Sequence, residues 1–108
     1  MAVDSSLIKG LTEPLILHLV AKKPYYGYEL SSTVSEISDG KFVWREGYLY
    51  PCLKRMEKRG WLVSEWQLSD DGKKRKYYSI TDDGITFLKE RRAEWLELSE
   101  AALSIFNS

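Results

Sequence analysis

Histidine and cysteine, which often carry catalysis and bind transition metals, are almost missing from this chain. Its 108 residues include one histidine, His18, and one cysteine, Cys52. A single cysteine excludes an intramolecular disulfide and is typical of a reducing compartment. Neither residue has the neighbours that a zinc site or a nucleophile–base pair requires. The sequence therefore predicts no metal, no cofactor and no enzymatic activity, and we expect both side chains to be structural.

Long apolar runs and glycine-rich loops are missing as well. No stretch approaches the roughly 18 apolar residues of a membrane span, and the N-terminus lacks the basic-then-apolar pattern of a signal peptide. Gly27 and Gly47 are isolated, so they do not form a phosphate-binding loop. These absences predict a cytoplasmic protein with no membrane partner.

A net charge is also lacking, because 16 basic and 16 acidic side chains cancel. The charges are nevertheless unevenly distributed along the chain. Residues 41–80 hold ten basic and five acidic side chains, while acidic side chains are in excess in residues 1–40 and 81–108. A local basic surface is sufficient for phosphate binding, whatever the total charge. The middle of the chain is therefore the candidate for nucleic-acid binding.

Apolar residues at helical spacing predict three helices in the first part of the chain. We expect them at residues 7–20, 27–37 and 46–59. Pro14 removes a backbone donor from the first of these. Either that helix is kinked, or its regular part begins near Glu13 and Pro14 lies in the first turn.

The second part of the chain predicts a hairpin and a long final helix. Residues 61–66 and 76–80 are rich in aromatic and β-branched side chains, which favours two strands joined by a long, basic connection. Thr81 can cap a helix over residues 81–106. Three helices, a hairpin and a helix are the order of a winged helix-turn-helix, so the predicted fold is mainly α with a small β-hairpin.

The third predicted helix carries one apolar and one basic face. If Leu49, Leu53 and Met56 are buried, the opposite face presents Tyr48, Pro51, Lys54, Arg55 and Lys58. Cations on such a face can meet phosphates, and Arg55 can also bind a guanine edge in the major groove. A solvated charged face is the alternative interpretation of any single helix.

The hairpin supplies a second basic element. Four consecutive cations, at residues 73–76, follow the flexible Gly72. A basic wing beside a helix can straddle a DNA backbone, although a charged tip can also protect an exposed strand edge. Two basic elements in this order favour DNA binding.

The final helix has more apolar surface than a small core can cover. Ile85, Leu88, Trp95, Ala102 and Phe106 follow helical spacing, and Leu96, Leu98, Leu103 and Ile105 extend the apolar surface. This excess predicts a partner helix, most simply from a second copy of the chain. Packing against the first helix is the alternative, and we expect both. Trp95 either anchors the dimer or stacks on a planar apolar ligand in a pocket between subunits.

Three segments of the sequence resemble the PadR family of transcriptional regulators in its short form. They are residues 26–30 (YGYEL); residues 46–51 (EGYLYP), followed by Leu53, Arg55, Met56, Glu57 and Gly60; and residues 76–78 (KYY), followed by Ile80, Thr81 and Gly84. The resemblance extends over nearly the whole chain. Its combined spacing is specific, whereas each short motif alone is not.

The resemblance implies a dimeric winged helix, usually a repressor, with contacts exchanged through the terminal helices. Some members bind planar apolar or phenolic compounds at the dimer interface, where Trp95 has a counterpart. At the position of Tyr48 the family usually has threonine, and the larger side chain changes what the helix can contact. Tyr50, Lys54 and Arg55 match the family pattern better.

These arguments predict a homodimeric, sequence-specific DNA-binding repressor of its own or a neighbouring promoter, released by a planar apolar or phenolic ligand. Residues 1–80 form the predicted DNA-binding domain and residues 81–108 the dimerisation helix. The predicted DNA-binding residues are Tyr26, Tyr48, Tyr50, Pro51, Lys54, Arg55, Lys58, Lys73, Lys74, Arg75 and Lys76. The predicted dimer interface comprises Leu7, Leu11, Leu88, Trp95, Leu98, Ala102 and Phe106.

Two alternatives remain open at this point. The winged helix could be a protein-interaction module without DNA binding, since a fold does not determine a function. The dimer cavity could instead make the protein a small-molecule carrier. The cations between Lys41 and Lys76 favour duplex DNA as the partner.

Overall fold

The computed structural model describes residues 8–108, which contain four α-helices and a three-stranded antiparallel sheet. In chain order the elements are α1 (Thr12–Val20), β1 (Tyr25–Tyr26), α2 (Gly27–Ile37), α3 (Glu46–Lys58), β2 (Leu62–Leu68), β3 (Lys74–Ile80) and α4 (Asp82–Phe106). This architecture confirms the predicted winged helix-turn-helix with a long final helix. The predicted interface residue Leu7 lies outside the described residues.

The helices begin close to where the sequence predicts. Pro14 is the third residue of α1, where its missing amide costs little because the first amides of a helix have no partner within the helix. This position confirms a regular start near Glu13. Thr81 caps α4, since its Oγ1 accepts a hydrogen bond of 3.0 Å from the amide of Gly84.

The core lies where α1, α2 and α3 meet the first residues of the hairpin. Its fully buried side chains are Ile16, Leu17, Leu30, Leu49, Leu53, Met56, Leu62, Thr12 and Cys52. The Cys52 Sγ lies 3.8 Å from the Met56 Sδ. Burial raises the pKa of the Cys52 thiol, so it stays protonated and inert at neutral pH. Cys52 is thus a core residue, as the sequence predicts.

The hairpin has longer strands and a shorter connection than the sequence predicts. β2 and β3 pair from Leu62 opposite Ile80 to Leu68 opposite Lys74. The expectation of a long basic connection is therefore wrong, because Lys74, Arg75 and Lys76 belong to β3 and of the four cations only Lys73 lies in the connection.

Local hydrogen bonds close this connection early. The amide of Ser69 donates to the carbonyl of Lys73 at 2.8 Å, and the Asp71 carboxylate accepts from the amide of Lys73 at 3.2 Å. Gly72 has a φ of 82°, which favours glycine. The polar, turn-prone residues 69–73 therefore form a tight turn, and the connection is confined to them.

A third strand, β1, was not predicted. Tyr25 and Tyr26 pair with Tyr78 and Tyr77 on the free side of β3. This pairing holds the start of α2, which directly follows β1, against strand β3 of the wing. Two residues are too few to produce a period-2 pattern in the sequence.

Helix α4 is anchored at its N-terminal half and extends away at its C-terminal half. It packs against α1, and the Phe87 ring stacks on Trp61 with 3.8 Å between the ring centroids. Leu88 is partly buried against the core. Beyond Leu88, the side chains of Leu98 and Phe106 are exposed. The longest dimension of the molecule is 56 Å.

Candidate nucleic-acid interface

Helix α3 turns its basic side chains away from the core. Leu49, Leu53 and Met56 are buried, while the opposite face exposes Pro51, Lys54, Arg55 and Lys58. The helix packs against α2 and β2 through its buried side. Three cations and a proline are therefore presented together on a rigid element, as the sequence predicts for a face that meets phosphates.

Tyr48 does not lie on this exposed face, so the prediction that it is presented there with Pro51 and the cations is wrong. Its side chain is partly buried and packs against the core, and its hydroxyl lies 2.8 Å from the Oγ1 of buried Thr12. Residues four apart share a helix face, and Tyr48 shares its face with buried Cys52. Tyr48 therefore connects α3 to α1 and helps to set the orientation of α3.

Tyr50 lies at the exposed N-terminal end of α3, against the first residue of α2. It is 43% exposed. A Cβ atom added to Gly27 would come within 2.6 Å of the Tyr50 Cε1 atom. The tyrosine ring therefore occupies space that any other residue at position 27 would require. Glycine at this position lets the two helix starts approach each other.

The cations of the wing fall into two groups. Lys73 and Lys74 are exposed, and no salt bridge within residues 8–108 involves either of them. Arg75 donates to the Tyr26 hydroxyl at 3.0 Å and to Asp71 at 2.8 Å. Its guanidinium also lies 4.4 Å from the centroid of the Tyr26 ring. The lysines at the tip are thus available to a partner, whereas Arg75 already has intramolecular partners.

Two further charged residues of the wing, Lys76 and Asp71, also have partners within the chain. The Lys76 Nζ lies 3.5 Å from a carboxylate oxygen of Glu57 on α3. The Ser69 hydroxyl and the Lys73 amide donate to Asp71, and with nearby Arg75 they lower the pKa of its carboxyl group. Asp71 therefore stays charged and keeps its contact with Arg75.

Together these residues form a cleft between the starts of α2 and α3 and the wing. It has a volume of about 370 Å³. Its lining residues are Tyr26, Gly27, Tyr28, Tyr50, Trp66, Lys73, Lys74, Arg75 and Lys76. We call this feature the aromatic–basic cleft. Tyr28 and Trp66 were not among the predicted site residues, although the aromatic side chain of Trp66 within a basic hairpin was a visible signal.

The predicted dimer surface forms a second feature, on the side of α1 and α4. An apolar hollow of about 350 Å³ lies there, lined by Leu11, Pro14, Leu15, His18, Phe42, Leu88, Arg92, Trp95 and Leu96. We call it the α1–α4 hollow. His18 is an exposed residue of this lining rather than part of the core. Trp95 is 40% exposed and Leu98 67%, while Ala102 is partly buried.

Within residues 8–108, no group of three or more histidine, cysteine, aspartate or glutamate side chains could hold a metal ion. None of the helices in this range combines the length and the apolarity that crossing a membrane requires.

Known proteins are similar to this chain in both sequence and architecture. The family model of the transcriptional regulator PadR-like family matches residues 16–90. A transcriptional regulator of Mycobacterium tuberculosis is 36% identical over 88 residues, which cover 82% of this chain and 78% of that protein.

Solved structures of transcriptional regulators also resemble this chain. The crystal structure of a PadR-like transcriptional regulator from Bacillus cereus superposes with a TM-score of 0.84 at 36% identity, covering 96% of this chain and 99% of the other. A transcriptional regulator from Clostridium thermocellum has a TM-score of 0.84 at 34% identity, covering 96% of this chain and 100% of the other.

Proposed function

The chain belongs to the PadR-like family of transcriptional regulators, and from that premise we propose that it is a homodimeric repressor acting on its own or a neighbouring promoter. A DNA-binding regulator needs no catalytic centre, and this family consists of regulators rather than enzymes. The proposed partner is duplex DNA and the proposed location is the cytoplasm.

The observation that carries the proposal is the presence of two exposed basic elements, one on α3 and one on the wing, with the aromatic–basic cleft lying between the start of α3 and the wing. Helix α3 offers exposed Lys54, Arg55 and Lys58, and the wing offers exposed Lys73 and Lys74. An α-helix fits the major groove of B-DNA, and a basic hairpin beside it can reach the neighbouring backbone. Phosphate contacts fix the register of the protein, while base contacts supply specificity. We assign base reading to Arg55 and phosphate binding to the lysines.

The apolar surface of α4 supports the proposed dimer. Leu98 and Phe106 are exposed in the single chain, and a second copy is the simplest partner that buries them. In this proposal residues 1–80 are the DNA-binding unit and residues 81–108 the dimerisation helix. In a two-fold symmetric dimer that reads half-sites one turn of DNA apart, the two α3 helices would lie about 34–36 Å apart.

Release by a ligand is proposed for the α1–α4 hollow. Its volume of about 350 Å³ lies within the roughly 300–1,000 Å³ range of small-molecule sites. The indole of Trp95 offers a flat surface on which a planar apolar or phenolic compound can stack. A ligand that binds one arrangement of the two α4 helices better than the other would shift the dimer away from the DNA-binding geometry.

The proposal is tested by measuring binding to the protein's own promoter region and to random duplex over a range of salt concentrations. We expect tighter binding to the promoter and a steep loss of affinity with salt, since each phosphate contact adds about 0.9 to the slope of log affinity against log salt. Equal, weak binding to both duplexes would favour a protein-interaction module. Tight ligand binding without DNA affinity would favour a carrier.

The role of Arg55 has its own test. Arg55→Ala should weaken promoter binding by about 1–3 kcal/mol if the guanidinium reads a base, with a smaller loss on random duplex. Lys89→Ala is the matched control, because Lys89 is an exposed cation on α4, outside the two basic elements. An unchanged gel shift for Arg55→Ala would remove this residue from the reading face.

A further inference from the structure

Trp66 is a large apolar side chain that the single chain leaves uncovered. It is 64% exposed, and Leu68, two residues further along β2, is 72% exposed. A single exposed apolar residue needs no explanation. Trp66, however, lies in the same cleft as Tyr28 and Tyr50, among four cations. Several aromatic rings and cations around one cleft indicate a partner that is both anionic and partly apolar.

The strand register shows which side of the wing carries Trp66. It is paired with Lys76, Leu68 with Lys74, and Ser64 with Tyr78. Paired residues lie on the same face of a sheet. Tyr78 is buried in the core, and the Ser64 hydroxyl donates to Glu57 of α3 at 2.6 Å. Trp66, Lys74 and Lys76 therefore lie on the face of the wing that is turned towards α3.

Building on the proposed function, we propose that the aromatic–basic cleft holds one sugar–phosphate backbone of the operator, with a deoxyribose packed on the Trp66 indole. When a helix enters a major groove and a wing reaches the adjacent minor groove, a single backbone separates them. The cleft occupies that position between α3 and the wing. The C–H groups of a deoxyribose match the indole face, and the flanking phosphates match Lys74 and Lys76.

The charges in the cleft select this occupant. Lys73 and Lys74 have no acidic partner within residues 8–108, so a phosphate can reach them without breaking a salt bridge. The Lys76 Nζ lies 3.5 Å from Glu57, a separation at which this ammonium can turn towards a second anion. An apolar protein segment would leave the lysines without an opposite charge, and an acidic segment would leave the aromatic rings uncovered. A nucleotide backbone supplies phosphates for the lysines and a sugar surface for the rings.

This assignment gives Trp66 a signature that differs from that of its neighbours. A contact with deoxyribose carries no sequence information and displaces no counterion. Removing the indole should therefore weaken binding to every duplex alike and leave the salt slope unchanged. Removing the Lys74 ammonium should weaken binding to every duplex and lower the slope by about 0.9.

The test compares Trp66→Ala, Trp66→Phe and Lys74→Ala on the promoter and on random duplex over a range of salt concentrations. We expect Trp66→Ala to lose about tenfold in affinity on both duplexes, as burial of a large aromatic surface implies, and Trp66→Phe to recover most of it. Val63→Ala is the matched control, because Val63 is exposed on the opposite face of β2. Its affinity should equal that of the unmodified chain.

Fluorescence gives an independent readout. The difference in emission between the unmodified chain and Trp66→Phe isolates Trp66 from the other three tryptophans. Saturating promoter duplex should shift this difference signal, since the indole becomes covered. Unfolding temperatures of the variants, measured in parallel, exclude loss of fold as the cause of weaker binding.

The outcomes separate this inference from the proposed function. If the unmodified chain binds neither duplex, the proposed function itself fails. If it binds the promoter while Trp66→Ala binds equally well, or if the difference emission does not change with DNA, the cleft does not hold the backbone at Trp66. A loss confined to the promoter sequence would also overturn the proposal, because it would mean that Trp66 reads bases.

Discussion

At the scale of single residues, Gly27 at the start of α2 lies directly against the ring of Tyr50 on α3. The space for a Cβ atom at position 27 is filled by the Tyr50 ring. That ring is the end of a flexible, 43% exposed side chain, so it can move without disturbing the backbone. Gly27 therefore determines where the aromatic ring lies in the aromatic–basic cleft, and contributes little to the stability of the fold.

Gly27→Ala should consequently separate stability from DNA binding. Alanine favours helix over glycine by up to about 1 kcal/mol, so the unfolding temperature should stay equal or rise slightly. The added methyl group displaces the Tyr50 ring, and we expect promoter affinity to fall. Thermal unfolding and gel shifts measure the two effects.

A double-mutant cycle with Tyr50→Ala checks that the effect passes through the ring. If Gly27 acts by positioning Tyr50, Gly27→Ala should cost little further affinity once the ring has been removed. Fully additive losses would show that the two residues contact DNA independently.

Tyr48 shows how far residue-level prediction reaches. Its neighbours in the sequence are correctly assigned, since Leu49 is buried and Tyr50 exposed. Tyr48 lies at the border between the two faces of α3, where helical periodicity does not decide. The Oγ1 of Thr12, 36 positions earlier, lies 2.8 Å from the tyrosine hydroxyl. A partner so distant in the chain is invisible in local spacing.

At the scale of elements, the start of α4 is held against Trp61, the residue that immediately precedes β2. A Cβ atom at Gly84 would collide with the backbone carbonyl of Trp61 and lie 2.8 Å from the Cγ1 atom of Ile80. The amide of Thr81 also donates to the Trp61 carbonyl at 3.1 Å. Here the obstacle is backbone, which cannot move as a side-chain end does.

Gly84→Ala should therefore destabilise the protein in spite of alanine's higher helix propensity. Overpacking of this kind costs about 1–3 kcal/mol, which exceeds the gain of up to about 1 kcal/mol from propensity. Gly47→Ala is the matched control, because Gly47 also lies in the first turn of a helix but has open space around it. Chemical denaturation should show a loss for Gly84→Ala and no loss for Gly47→Ala; equal effects would mean that α4 can shift freely.

At the scale of the whole molecule, the exposed half of α4 leaves the single chain incomplete. Leu98 is 67% exposed, and Ile105 and Phe106 are more exposed still. These side chains lie beyond the part of α4 that packs on α1. A second α4 would bury them and, in the proposed dimer, would also fix the distance between the two DNA-binding units.

Leu98→Glu should therefore dissociate the proposed dimer into monomers, because a carboxylate cannot be buried in an apolar seam without a partner. Sedimentation measures the change in mass. Promoter affinity should fall with it, since two half-sites are no longer bound together.

Ala93→Glu supplies the control for added charge. At about 100° per residue it lies about 140° around α4 from Leu98, on the polar side of the helix, and is exposed. We expect it to stay dimeric. Monomers for both variants, or dimers for both, would show that the interface lies elsewhere.

Much of the fold was predictable because its signals are local. The starts of α2 and α3 and the Thr81 cap lie where apolar spacing and capping residues place them. The wing was harder, since side-chain hydrogen bonds of Ser69 and Asp71 shorten its turn and extend β3 over three of the four cations. Strand β1 escaped prediction because two residues carry no periodicity.

The sequence alone determined the order of elements, the charge of the middle segment and the apolar excess of the last helix, because each depends on residues close together in the chain. Only the tertiary structure brought Tyr26, Tyr50 and Trp66 into one cleft, engaged Arg75 with Tyr26 and turned Tyr48 inward. Those outcomes depend on contacts between distant residues, and such contacts exist only when helices, sheet and wing pack around a common core.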